Sequence, residues 1–338
     1  MALIWTDIAE GRDQASFYVM GSGAGNYSTL GGRESMARMA WPFPNADRDD
    51  GVTVGLSVYH TITDPHDTLL QFEGDGGTVD HLTLDCDPAM KRYRIYRGLP
   101  ATGVLLGSSD PNTMPGNVWT HLEMKVKVAD SGGSVELRRE ESTIILLTGI
   151  DTRNGGTDAL IDRVNFVEPG SGQNLESRFT DAHIITEAGA SPTSFVGHHR
   201  GYWLDPTSQG NYNEQPGSDG NSTDTHLLVD ELGVPDDADY YGSATDGARQ
   251  TFGMRDLAPT VGSVLSMMIR ARNIKTDAGA KKLRSLIRRA GTDVAGADWI
   301  IDVVGDSDYT LYPTDPVAAA AWTVANVNST ELGTEVRP

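Results

Sequence analysis

The sequence predicts an all-β protein built as two sandwich domains, the second smaller than the first, and three observations carry that prediction. Glycine (38 residues) and proline (16 residues) are abundant, which suits many tight turns between short strands. Apolar and polar residues alternate with the period of a half-buried strand over several stretches, and no segment sustains a helical period. A chain of 338 residues, 38% of them apolar, is long enough for two β-domains, each with a core of its own.

From Gly51 to Ile62, Val52, Val54, Leu56 and Val58 alternate with Thr53, Gly55, Ser57 and Tyr59, which places the aliphatic side chains on one face of a strand. Shorter strands are expected at Thr68–Glu73, His81–Leu84, Arg92–Arg97 and Val104–Gly107, each bounded by Gly, Asp, Pro or Asn. The clearest pair is Trp119–Val128 with Ser134–Arg139. Leu122, Met124, Val126 and Val128 share one face, and Asp130-Ser131-Gly132-Gly133 supplies a hairpin turn. Ile144–Leu147, Ile161–Glu168 and Ser177–Thr186 complete the first set.

At Ala188–Thr193 the composition shifts to small residues, so the junction is expected there, with one domain over 1–190 and a second over 191–338. Gly201–Asp224, crowded with Gly, Asn, Ser, Pro and Asp, reads as a long irregular loop of functional or interface character. Strands return at Thr251–Met254, Gly262–Ala271, Lys281–Arg289, Trp299–Val304 and Tyr309–Tyr312. No heptad seam, collagen triplet or 20–50-residue period recurs, so a fibrous shaft is not expected.

The formal net charge of -20 is spread along the chain and repels phosphate backbones and anionic membranes, which argues against a nucleic-acid partner. No stretch approaches the roughly 18 apolar residues of a membrane span, so membrane insertion is not expected. Cys86 is the single cysteine, which rules out an intrachain disulfide and a cysteine-based zinc site within one chain. The start, MALIWTDIAEG, carries no basic leader, and synthesis in a reducing cytosol is expected.

Trp119-Thr120-His121-Leu122-Glu123 opening a long strand, the hairpin into Val135-Glu136-Leu137, the Thr148–Thr152 turn and Ile161-Asp162-Arg163-Val164 together give residues from about 15 to 186 a likeness. They resemble a concanavalin-like jelly roll, the sandwich of laminin-G-type and lectin domains. The remainder is similar to the C-terminal half of a family of virion proteins of tailed phages and prophages. The matching residues are Val229-Asp230-Glu231, Pro235-Asp236-Asp237, Asp239-Tyr240-Tyr241, Gly262–Leu265, Gly291-Thr292-Asp293, Asp315-Pro316, Trp322-Thr323, Val327-Asn328 and Gly333. Val317-Ala318-Ala319-Ala320 departs from the family, which usually has a polar turn before the tryptophan. The resemblance implies a virion location, contacts with other virion subunits and self-association.

Catalytic motifs are absent from the sequence. There is no Glu-x-Asp-x-x-Glu run of retaining jelly-roll glycosidases, no His-Glu-x-x-His and no Gly-x-Ser-x-Gly elbow. The pairs Asp85/Asp87 and Glu73/Asp75 sit beside turn residues and read as turn formers. His198-His199 would point to opposite faces of a strand, Asp236-Asp237-Ala238-Asp239 lacks the glycine and glutamate of a calcium loop, and Gly21–Gly25 lacks the Lys-Ser/Thr of a phosphate cradle. No cofactor or metal is therefore expected, and the chain is expected not to be an enzyme. The one basic concentration includes Arg270, Arg272, Lys275, Arg284, Arg288 and Arg289, a candidate contact for an acidic neighbouring subunit. The alternative function is an adhesin for host-surface carbohydrate, for which Trp41, Phe43, Tyr202, Trp203 and Tyr212 are candidate stacking residues.

Overall fold

In the computed structural model, which describes residues 3–7, 39–42, 48–60, 67–166, 178–187, 193–198, 202, 204–230, 238–259, 261–276, 281–303 and 306–338, the chain divides into two units, Met1–Gly201 and Tyr202–Pro338. The first unit contains β1 (Leu3–Asp7), β2 (Met39–Pro42), β3 (Gly51–Tyr59), β4 (Asp67–Gly74), β5 (Val79–Asp87) and β6 (Arg92–Arg97). It continues with β7 (Val104–Ser108), β8 (Trp119–Lys127), β9 (Gly133–Arg139), β10 (Ser142–Ile150), β11 (Arg163–Phe166) and β12 (Arg178–Thr186). They form two six-stranded sheets, ordered β1-β12-β3-β8-β9-β10 and β2-β11-β4-β5-β6-β7. The chain crosses between sheets at both ends of its course and completes consecutive hairpins in the middle, which is jelly-roll, concanavalin-like connectivity.

Alternation builds this core directly. Val52, Val54 and Leu56 lie opposite Val126, Met124 and Leu122 in the β3–β8 ladder, and all are fully buried. Leu70, Phe72, Leu82, Leu84 and Ile95 of the other sheet belong to the same apolar cluster, so the two inner faces meet. Each such side chain contributes about 1.5–3 kcal/mol by leaving water. The β8–β9 turn places Gly132 at φ 82, a conformation that costs glycine little.

The sequence-expected junction at Ala188–Thr193 precedes the observed division, because the following segment is tied to the first unit. Glu123 of β8 accepts hydrogen bonds from Val196 N (2.8 Å) and Gly197 N (3.0 Å), and Phe195 lies under the Arg138 guanidinium.

The second unit holds β13 (Pro206–Asn213), β14 (Arg249–Met254), β15 (Met267–Asn273), β16 (Lys282–Arg289), β17 (Thr292–Ile300), β18 (Asp306–Tyr312), α1 (Val324–Asn328) and β19 (Glu331–Arg337). A five-stranded sheet, β13-β14-β19-β16-β17, is accompanied by the two-stranded ladder β15-β18. Ile287 and Leu332 of the larger sheet cluster with Met267, Ile269 and Tyr312 of the ladder and with Trp322, giving a second, smaller β-core. The short α1 is capped by Thr323, whose Oγ1 accepts from Asn326 N at 3.1 Å. Gly201–Asp224 is not wholly a loop: β13 lies within it, made a strand by its pairing with β14 rather than by apolar content. The Val317–Ala320 departure is still a polar turn, since buried Asp315 accepts from Val317 N and Ala318 N. No helix among the described residues is long and apolar enough to cross a membrane.

Candidate functional site

The inward set Leu82, Leu84 and Cys86 on β5 forces Thr83, Asp85 and Asp87 to the outer face, and the same parity turns Gln71 and Glu73 outward on β4 and Arg92, Arg94 and Tyr96 on β6. The ladders bring one polar row into line across the sheet: Asn165 beside Gln71, Gln71 beside Thr83, Thr83 beside Tyr96, and Tyr96 beside Leu105. Asn165, Gln71 and Thr83 are buried, Tyr96 is half-buried, and Leu105 is 49% exposed, so the face opens toward β6 and β7.

Charged pairs flank the row on both sides. Arg94 Nε donates to Asp85 Oδ2 at 3.0 Å, Arg94 NH1 lies 3.7 Å from Asp87 Oδ2, and Arg92 Nε donates to Asp87 at 3.1 Å. Burial raises the Asp87 carboxyl, but hydrogen bonds from Arg92 and Met90 N outweigh it and hold its pKa below the usual value. Burial likewise works against the Arg94 cation, yet the Asp85 hydrogen bond prevails and its pKa is raised. On the other flank Glu73 accepts from Asn165 Nδ2 and from Arg163 NH1 at 3.5 Å. His81, also buried here, has its pKa lowered by burial and stands neutral at pH 7.

Four buried atoms of this face have no hydrogen-bond partner: Thr83 Oγ1, Asn165 Oδ1, His81 Nε2 and Arg163 Nε. An unsatisfied buried polar atom costs about 1–3 kcal/mol, so each of these atoms calls for a physical reason. A planar row of amide and hydroxyl groups, carboxylate–guanidinium forks and a half-open aromatic ring suits a ligand rich in hydroxyls. Reading Asp85 as a turn former is thus corrected, since it stands within β5, whereas Asp87 ends β5 and its carboxylate accepts from Met90 N in the following turn. The signal that reveals them is the alternation His81, Thr83, Asp85, Asp87 against Leu82, Leu84, Cys86.

The opposite sheet carries a buried histidine pair. His121 and His183 stack with centroids 6.4 Å apart beside Glu123, and His183 Nε2 lies 3.5 Å from Glu123 Oε1. His198 of the overlying segment places its ring 5.1 Å from His121, and His199 is outside the described residues. Among the described residues no group of His, Cys, Asp and Glu is arranged to hold a metal ion.

The arginines singled out in the sequence are paired within the second unit. Arg284 NH2 donates to Glu335 at 2.8 Å, Arg288 NH1 donates to Asp293, and Arg289, of opposite parity, lies 2.7 Å from buried Asp315. Tyr212 donates to Asp293 (2.6 Å) and takes the Arg249 and Arg288 guanidiniums over its ring at 5.1 and 4.9 Å. Arg284 and Arg288 are therefore matched by carboxylates of their own sheet and Arg289 by Asp315 of the loop after β18, so these three are not gathered on one face. Tyr202 packs partly buried against the second core. Trp41 contributes backbone to β2, whereas Trp203, Phe43, Gly21–Gly25, Asp236 and Asp237 are outside the described residues.

No family model matches the chain, and no curated protein matches it. Among solved structures, it is similar to a sialidase (11% identity, TM-score 0.30), covering 44% of this chain and 14% of that one, so it spans a small part of the sialidase's length. It is similar to the carbohydrate-binding module CBM66 from Bacillus subtilis at 8% identity and TM-score 0.29, covering 44% of this chain and 78% of that one. It is also similar to the alginate lyase Aly36B at 12% identity and TM-score 0.34, covering 48% of this chain and 75% of that one. Two of these proteins are enzymes by name, and that finding overturns the expectation that the chain is not an enzyme. The absence of contiguous motifs is a poor ground for that expectation, because catalytic groups on a sandwich assemble from separate strands.

Proposed function

We propose that the first unit binds carbohydrate on the outer face of the β2-β11-β4-β5-β6-β7 sheet. The observation that carries this reading is the Asn165–Gln71–Thr83–Tyr96 row, flanked by the Asp85–Arg94 fork and containing buried polar atoms with no partner. Sugar hydroxyls both donate and accept and so suit a polar row, and the apolar face of a sugar ring rests on Tyr96 and Leu105, where the row is open. A glycan array with the full chain, followed by calorimetric titration of each hit, tests the proposal. Tyr96→Ala and Arg94→Ala should each weaken binding at least tenfold with the thermal transition of the second unit unchanged. Undiminished binding by both variants would overturn the site.

A second reading, a component of a tailed-phage particle made in the host cytoplasm, is supported by the ordered motifs from Val229-Asp230-Glu231 to Gly333. Under it the protein self-associates and contacts other virion subunits, and a sandwich binding host-surface glycans is compatible with that location. Cross-linking mass spectrometry on purified particles tests it. Cross-links to portal, tail or capsid subunits support the reading, and absence of the chain from particles removes it.

A further inference from the structure

We propose that β10 is the surface through which two copies of this chain pair, edge to edge and antiparallel, a contact that neither reading above specifies. β10 ends its six-stranded sheet, and among the described residues β9 is its one neighbour, so its outer backbone edge is open to another strand. Its nine residues (STIILLTGI) hold no charge and no proline. Four of the five other ends of the three larger sheets carry residues that resist strand addition: Asp7 in β1, Pro42 in β2, Pro206 in β13, and Asp293 and Asp298 in β17. The fifth, β7 (VLLGS), is uncharged like β10 and lies against it, since a Cβ added to Gly107 would stand 2.9 Å from the Leu147 side chain. One side of this sandwich is therefore an uncharged, largely apolar strip. Leu146 is 62% and Val104 51% exposed, and Leu106, Ile144 and Leu147 are partly buried against the core.

Charge selects a second copy as the occupant. A basic partner of a chain with net charge -20 is drawn to carboxylates, which β7 and β10 lack. A second copy brings an equally uncharged strip, so the two chains meet here without setting carboxylate against carboxylate. Two-fold symmetry turns its β10 antiparallel, the orientation in which identical edges pair. Register shifts at Ile144 and Gly149 bracket a regular stretch, Ile145–Thr148, and within it Leu146 is the residue that projects into solvent, so the two-fold axis is placed at Leu146. A nine-residue strand is about 30 Å long and the side of a sandwich about 20 Å wide, so each copy contributes roughly 600 Å², the low end of stable interfaces. A dimer in micromolar equilibrium with monomer is the expected result.

Sedimentation velocity of the full chain from about 1 to about 100 µM should show that equilibrium. Leu146→Lys, at an exposed position, should raise the dimer Kd at least tenfold while the thermal transition of the first unit stays where it is. Leu146→Cys should link two chains on oxidation, because directly opposed residues of antiparallel strands lie about 4.5–5.5 Å apart at Cα, within disulfide reach. The wild-type chain, whose single cysteine Cys86 is buried, should stay unlinked under the same treatment. A chain that remains monomeric throughout overturns the proposal and leaves the strip to a strand of another protein. A dimer that Leu146→Lys leaves intact, or that Leu146→Cys fails to link, overturns it equally. None of these results bears on the carbohydrate site, which lies on the outer face of the other sheet and has its own test.

Discussion

Lowering the pH from 7 to 5 should destabilise the first unit through two histidines that its folding buries. His60 is 3% exposed, its Nε2 lies 3.3 Å from the Tyr93 hydroxyl, and burial pushes its pKa down to about 4. His183 packs against Gly55, where any Cβ would overlap its ring, and burial pushes its pKa down to about 3. In the unfolded chain each reverts to the ordinary value near 6.5. Between the folded and unfolded values the unfolded state binds more protons, so stability rises with pH. The contribution is complete above the unfolded pKa and is lost as pH falls toward the folded values. At pH 5 each histidine favours unfolding by about 2 kcal/mol, so the pair removes about 4 kcal/mol relative to neutral pH. Urea unfolding at pH 7, 6 and 5 measures this, with His60→Gln and His183→Gln each expected to reduce the pH-dependent loss by about 2 kcal/mol whatever its effect at pH 7, the remainder including His81, whose pKa burial also lowers. A double variant that kept the full wild-type loss would refute the assignment to these two rings.

Three further outcomes follow from named contacts. Glu123→Gln retains one acceptor for the Val196 and Gly197 amides but removes the charge, so amide exchange in 194–198 should accelerate at least tenfold while the β3–β8 ladder is unchanged. Asp315→Ala leaves the Arg289 guanidinium without its counter-charge and the Val317–Ala318 turn without its acceptor, and calorimetry should record a loss of about 3–5 kcal/mol in the second unit. Gly333→Ala drives a Cβ into the Gln250 carbonyl at the centre of the five-stranded sheet and should cost about 3 kcal/mol in urea unfolding, whereas Gly262→Ala, with open space around it, should be silent.

The site was partly legible. Thr83, Asp85 and Asp87 announce their outward parity by their spacing between Leu82, Leu84 and Cys86, but the pairing of Glu73 with Asn165 joins positions 92 residues apart. No local pattern carries that neighbourhood. The arginines of β16 illustrate the same limit, for their clustering in sequence suggests an unpaired basic face while Arg284 finds Glu335 from 51 residues away. β19 was missed because Glu331, Gly333, Thr334 and Glu335 read as polar turn residues. It is nevertheless a buried strand of the sheet, with Glu335 held by Arg249, Arg284 and Arg337.

By itself the sequence determined the all-β class, the aliphatic faces of β3 and β8, and the turn at Asp130–Gly133. These follow from side-chain period and backbone preference, which act within a few residues. Tertiary structure alone decided that β11 lies beside β4, that β19 lies between β14 and β16, and that the outward groups of five strands meet in one row. The physical reason is that strand partners are selected by burial of whole faces and by ladder hydrogen bonds between distant segments. The residues of a face therefore meet only once that selection has been made.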